Sequence, residues 1–75
     1  MSRLKITLHN SSSEKVNFHY GSQSFSASSS CGTLKPGETK TTNVPGDSYI
    51  SYDKGGSHNN KVGQATCDGQ SFTAY

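Results

Sequence analysis

Leu4-Lys5-Ile6-Thr7-Leu8-His9 and, shortly after, Lys15-Val16-Asn17-Phe18-His19-Tyr20 are the two stretches that decide the fold class of this chain. In each, apolar and polar residues alternate strictly, the period of a strand with one buried face. Asn10-Ser11-Ser12-Ser13-Glu14 between them reads as a turn. Pairing Leu8 with Val16 sets Ile6 opposite Phe18 and Leu4 opposite Tyr20, so the segment reads as an antiparallel hairpin with one apolar face.

The same reading extends along the chain. Phe25 and Ala27 mark a weaker third strand, and Ser26 to Gly32 reads as a small-residue loop carrying Cys31. Lys35-Pro36-Gly37-Glu38 has the Pro-Gly of a type II turn. Thr39 to Val44 is a Thr-rich strand, Pro45-Gly46-Asp47 a turn, Ser48 to Asp53 a strand, and Lys54 to Asn60 a glycine-rich loop. Asp68-Gly69 predicts a final hairpin in which Cys67 faces Gln70, Ala65 faces Phe72 and Gly63 faces Ala74. No stretch shows helical periodicity. Six or seven short strands with closely spaced turns predict an all-β chain, a small antiparallel β-sandwich of Greek-key or immunoglobulin-like type spanning 1–75 as one domain. The expected core is Leu4, Ile6, Leu8, Val16, Phe18, Tyr20, Phe25, Leu34, Val44, Ile50, Tyr52, Val62, Ala65, Phe72 and Ala74.

A core drawn from 75 residues leaves little free energy once chain entropy is subtracted. A Cys31–Cys67 disulfide would close a loop of about 37 residues and contribute roughly 3.8 kcal/mol on a loop-entropy estimate. The sequence therefore predicts a structural staple at Cys31 and Cys67. With no CxxC and no histidine near either cysteine in sequence, the pair reads neither as a zinc site nor as a redox centre.

The staple points to an extracellular setting, and Asn10-Ser11-Ser12 is a glycosylation sequon that fits one. The chain enters a strand directly after Met1-Ser2-Arg3, with no apolar run long enough to span a membrane. It reads either as a mature secreted domain given a start methionine or as a cytosolic protein, and low charge with abundant Ser and Thr favours the first. Net charge is only +2 and the lysines are scattered, which argues against a nucleic-acid partner.

Chemistry-bearing residues are sparse. In the hairpin register His9 and His19 stand on the polar face, on the order of 13 Å apart and too far to share a metal ion. They read as exposed strand histidines. Asp53, Ser57, Asn59 and Asn60 around His58 could offer oxygens to Ca²⁺, but the spacing fits no known calcium loop, so no metal and no cofactor is expected. The chain has no GxSxG. A ribonuclease-like hydrolase would need His19 or His58, Glu38 and Arg3 to converge on a phosphate. Tyr49 and Tyr52 lie on opposite faces of one strand, so one of them must point away from the core. With Thr41, Asn43 and Ser51 nearby, an exposed tyrosine could stack on a sugar or pack on a protein. The candidate ligand-binding residues are thus Tyr49, Tyr52, Thr41, Asn43, His58, Asn59 and Asn60.

Ile6-Thr7-Leu8-His9-Asn10-Ser11-Ser12, then Val16-Asn17-Phe18, then Leu34-Lys35-Pro36-Gly37-Glu38 resemble the first half of aegerolysin-type small secreted β-sandwich proteins of fungi and bacteria. The resemblance spans roughly residues 4–52. This chain lacks tryptophan and is about half as long, which sets it apart from the lipid-contacting members. The resemblance implies a compact secreted protein that acts by binding. The expected function is a non-enzymatic, effector- or toxin-like or lectin-like binding protein recognising a protein or glycan on a target cell surface. The alternatives are a small extracellular ribonuclease and a coat protein that self-associates through a strand edge.

Overall fold

The computed structural model describes residues 3–22 and 29–75. Seven strands run in order: β1 Arg3–Asn10, β2 Val16–Gly21, β3 Ser29–Leu34, β4 Thr39–Pro45, β5 Ser48–Lys54, β6 Ser57–Ala65 and β7 Gln70–Ala74. There is no helix among the described residues. The strands form two sheets, β4-β1-β7 and β3-β2-β5-β6. All pairings are antiparallel except β1 with β7, which is parallel.

One core lies between the sheets. Ile6, Leu8, Val44, Phe72 and Ala74 come from the first sheet; Val16, Phe18, Leu34, Ile50 and Ala65 come from the second. Period-2 alternation delivers each of these to an inner face. Fully burying side chains such as Phe18, Ile6, Leu8 and Leu34 stabilises by about 1.5–3 kcal/mol each relative to exposure. The expected core is reproduced at its centre, with Leu4, Tyr20, Tyr52 and Val62 packing partly against it. Phe25 and Ala27 fall outside the described residues, as do Ser26 and Ser28.

Both predicted terminal hairpins are corrected. β1 pairs with β4 and β7, and β2 with β3 and β5, so Ile6 and Leu8 meet Val16 and Phe18 across the core instead of side by side. The reason lies in Asn10. Its side chain is fully buried, where Nδ2 donates to Glu14 O (2.7 Å) and Leu34 O (3.1 Å), and Oδ1 accepts from Ser12 N (2.9 Å) and Ser12 Oγ (2.6 Å). All four of its hydrogen-bonding positions are filled, so residues 11–15 are shaped into a crossover from one sheet to the other. The acceptor Asn10 of the sequon is therefore inside the protein, with its amide nitrogen fully engaged.

Asp68-Gly69 also connects the two sheets. Lys5 N donates to Asp68 Oδ1 (2.7 Å) and Gly69 N donates to Lys5 O (2.8 Å). These bonds turn the chain onto β1 and place β7 parallel beside it.

Two further boundaries move. Residues 29–32, expected in a loop, belong to β3, and residues 57–60, also expected in a loop, belong to β6. The β5–β6 turn is only Gly55-Gly56, with Gly55 at φ 58°. Lys35-Pro36-Gly37-Glu38 is the turn expected: Gly37 has φ 80° and Glu38 N donates to Lys35 O at 2.9 Å. The strand order also departs from the immunoglobulin pattern, in which the third strand pairs with the sixth; here β3 pairs with β2.

The predicted Cys31–Cys67 staple is absent: both cysteines are free. Cys31 lies on β3 and Cys67 just beyond β6, the two outermost strands of the same sheet. Three inter-strand steps separate those strands, roughly 14 Å, whereas a disulfide needs Cα atoms within about 7 Å.

Candidate functional site

Strands β6 and β7 border one side of the molecule, each an edge strand of its sheet. Between them runs a groove of about 470 Å³ lined by Tyr52, Lys61, Gln64, Phe72, Thr73 and Tyr75, among others. Gly63 forms part of its wall opposite Phe72. Aromatic, amide and hydroxyl groups dominate the lining.

Side chains close both ends. At one end the Gln70 amide bridges the strands: Oε1 accepts from Thr66 N (2.6 Å) and Cys67 N (3.1 Å), and Nε2 donates to Gln64 O (3.3 Å). At the other end Tyr52 Oη donates to Tyr75 O (3.2 Å) and accepts from Tyr75 N (3.3 Å), while Lys54 Nζ donates to Tyr75 O (2.6 Å). Tyr52 reaches this end because its ring lies on the inner face against Phe18, with centroids 5.9 Å apart. Tyr75 is 74% exposed and lines the groove at this end.

A second cluster occupies the outer face of the four-stranded sheet. His19 Nε2 lies 2.7 Å from Asp53 Oδ2, and Asp53 Oδ1 accepts from Asn59 N at 2.9 Å. His58 Nδ1 stands 3.7 Å from the same Oδ1. The Asn59 N–H, helped by His19 and the nearby His58 and opposed by burial, lowers the Asp53 pKa below its ordinary value. An ionised Asp53 accepts from His19 Nε2–H, which fixes the tautomer. Asn59 adopts φ 54° where β6 bulges opposite Asp53, so the carboxylate caps the bulge. Ser51, paired in register with His19, is fully buried, and its Oγ has no hydrogen-bond partner among the described residues.

The residues expected to bind ligand are scattered over the molecule. Thr41 and Asn43 pair with Thr7 and Lys5 on the three-stranded sheet. Tyr49, next to the inward Ile50, lies on the outer face of the other sheet. His58 and Asn59 are exposed on β6, and Asn60 donates from Nδ2 to Tyr52 O. Of the seven, only Tyr52 lines the groove. Gln64, Gln70 and Thr73 were not anticipated, because only the meeting of two sheet edges makes them neighbours.

His9 and His19 lie on different sheets, not on one hairpin face. His9 bonds Thr39 Oγ1 through Nδ1 (2.8 Å) on one sheet, and His19 sits on the other. His19 is also not the exposed residue expected, since only 16% of its side chain is accessible. Among the loop oxygens considered for Ca²⁺, both Asp53 oxygens and Asn60 Oδ1 already accept protein hydrogen bonds. No cluster of three or more His, Cys, Asp or Glu among the described residues is arranged to hold a metal ion.

The ribonuclease constellation does not assemble. Glu38 lies beside Asn10, whose N–H donates to Glu38 O (3.0 Å). Arg3 is at the other end of β1, on the order of 23 Å away at strand rise. No known protein family matches this chain, and no curated protein or solved structure does.

Proposed function

We propose that this protein is a non-enzymatic binding protein whose recognition surface is the groove between β6 and β7. The observation carrying this reading is the groove itself: two sheet edges, closed at both ends by side chains, with Tyr52, Tyr75 and Phe72 set among hydrogen-bonding groups. Concave sites with aromatic walls and a few placed polar groups are where ligands gain affinity. The likeness of residues 4–52 to aegerolysin-type proteins accords with action by binding. The partner is a protein or a glycan, as in effector-, toxin- or lectin-like proteins. Low charge and a Ser- and Thr-rich composition support an extracellular setting; the free thiols and the buried Asn10 no longer add to that support.

The test is direct. The protein is applied to a glycan array and to a random-sequence peptide library, alongside Tyr75→Ala. Ligands retained by the parent protein and lost by the variant are expected. Ligands held equally by both proteins, or no ligand on either array, would overturn the reading.

A further inference from the structure

We infer that the groove takes the end of a neutral glycan, one or two sugar rings long. This rests on the groove being the recognition surface, and it names the ligand class.

The main chain of β7 supplies the polar half of the site. Ala74 O accepts from Ser11 N (2.8 Å), and Gln70, Phe72 and Ala74 are the register partners of Ile6, Leu8 and Asn10. Main-chain groups of successive strand residues point to opposite edges. Ser71 and Thr73 therefore direct their N–H and C=O groups away from β1, toward the groove that both residues line. These four groups have no partner there among the described residues.

The dimensions select a compact occupant. At one end the Gln70 amide bridges to Gln64 O, Thr66 N and Cys67 N; at the other, Tyr52 Oη and Lys54 Nζ hold the Tyr75 main chain. Only Ser71 to Thr73 stays open between these bridges, about 7 Å at strand rise. The floor is the contact of Gly63 with Phe72, where an added Cβ would stand 3.2 Å from Phe72 Cε1. Another strand would need its own slot about 4.8 Å from β7, and β6 already closes that space. An extended peptide would also have to displace the bridges at both ends. One or two sugar rings fit between them, in a cleft of about 470 Å³.

The chemistry agrees with the dimensions. Ser71 and Thr73 each present one donor and one acceptor, and a hydroxyl both donates and accepts, so neighbouring sugar hydroxyls satisfy both kinds. Tyr75, 74% exposed, and Tyr52 add aromatic surface on which the C–H face of a sugar ring packs. No Asp or Glu lines the groove. Lys54 Nζ already donates to Tyr75 O, and Lys61 shares a register row with Ser51 and His19 on the outer face. No charged side chain among the described residues is thus left to select an ionic ligand, and a neutral one is complementary.

The experiment applies the full chain, Tyr75→Ala, Tyr75→Phe, Ser71→Pro and Thr73→Pro to an array of neutral, sialylated and sulfated glycans, beside a random seven-residue peptide library. Neutral glycans are the expected hits. The free disaccharide that ends the strongest hit should compete for the protein, and longer glycans with that end should bind within about threefold of it. Tyr75→Ala should weaken binding at least about tenfold, and Tyr75→Phe by less than about threefold. Each proline deletes an N–H that β1 does not use and should weaken binding about tenfold, the worth of one main-chain hydrogen bond. Should a proline variant fail to fold, NMR on the parent protein replaces it. Saturating disaccharide should then shift the Ser71 and Thr73 amide resonances and leave those of Thr41 and Asn43 on β4 in place. Hits confined to charged glycans or to peptides, and lost in Tyr75→Ala, would overturn the inference while leaving the groove as the recognition surface. Affinity that climbs with every added sugar, or Ser71 and Thr73 amides that do not move, would also overturn it. Glycans held equally by the parent and all variants, or no hit of either kind, would remove both.

Discussion

Gly63 on β6 packs against Phe72 on β7 across the open side of the two sheets: a Cβ at Gly63 would stand 3.2 Å from Phe72 Cε1 and 3.7 Å from Cδ1. The contact fixes how closely the sheet edges approach, and hence the width of the groove. Gly63→Val should cost about 1–3 kcal/mol through overpacking, read from urea unfolding. Gly63→Ala should cost less, because the Phe72 ring can tilt toward the groove and alanine restricts the unfolded chain. A valine variant as stable as the parent would show that the edges are free to part.

Asn10 carries more polar bonding than any other buried side chain described here, and it holds the first crossover. Asn10→Ala would leave the Leu34 and Glu14 carbonyls and the Ser12 donors without that partner. The expected loss is roughly 2–4 kcal/mol. The same burial predicts that the sequon stays unmodified when the protein is made in a glycosylating host. An intact mass carrying a glycan at Asn10 would contradict the fold around β1.

Asp53 gives the protein a defined acid limb. Its folded pKa lies below the unfolded value, so the unfolded chain binds more protons between the two. Its contribution is present in full above the ordinary carboxylate range and is lost as pH falls below about 4 toward the folded value. Asp53→Asn should flatten that limb in thermal unfolding measured between pH 2 and about 5. Parallel acid limbs in the two proteins would show that the Asn59–Asp53–His19 bridge adds no pH-dependent stability.

The thiols separate by environment. Burial pushes Cys31 up to about 11, whereas Cys67 is exposed. Alkylation at pH 8 without reductant should label Cys67 first and Cys31 only slowly, the thiolate being the reactive form. Mass measurement under denaturing conditions should then find two modified cysteines. An unlabelled pair would restore the disulfide and require β3 and the end of β6 to lie much closer together.

Much of the fold is written in local chemistry. Alternation assigns Ile6, Leu8, Val16, Phe18 and Ile50 to inner faces correctly, because the side-chain period of a strand is a local property. The type II turn at Pro36-Gly37 is equally local, set by the one residue that adopts φ 80° without strain. The candidate site was far less legible. Tyr52 was singled out as an amphipathic residue on a strand of alternating exposure, yet its hydroxyl acts on Tyr75, which is adjacent only in space. His19 and Asp53 stand far apart in sequence, and only the register of β2 with β5 joins them.

The sequence by itself determined which residues turn inward, where several tight turns fall, and that the chain is all β, since each follows from side-chain period and glycine or proline backbone preference. Only the tertiary structure decided which strand lies beside which. Asn10-Ser11-Ser12 and Asp68-Gly69 resemble hairpin turns locally, but the buried bonds of Asn10 and the Lys5–Asp68 contact send the chain from one sheet to the other. Those contacts are long-range, worth their free energy only once the core has formed around them. They separate Cys31 from Cys67, set β7 parallel to β1, and leave the Ser71 and Thr73 main chain facing an open groove.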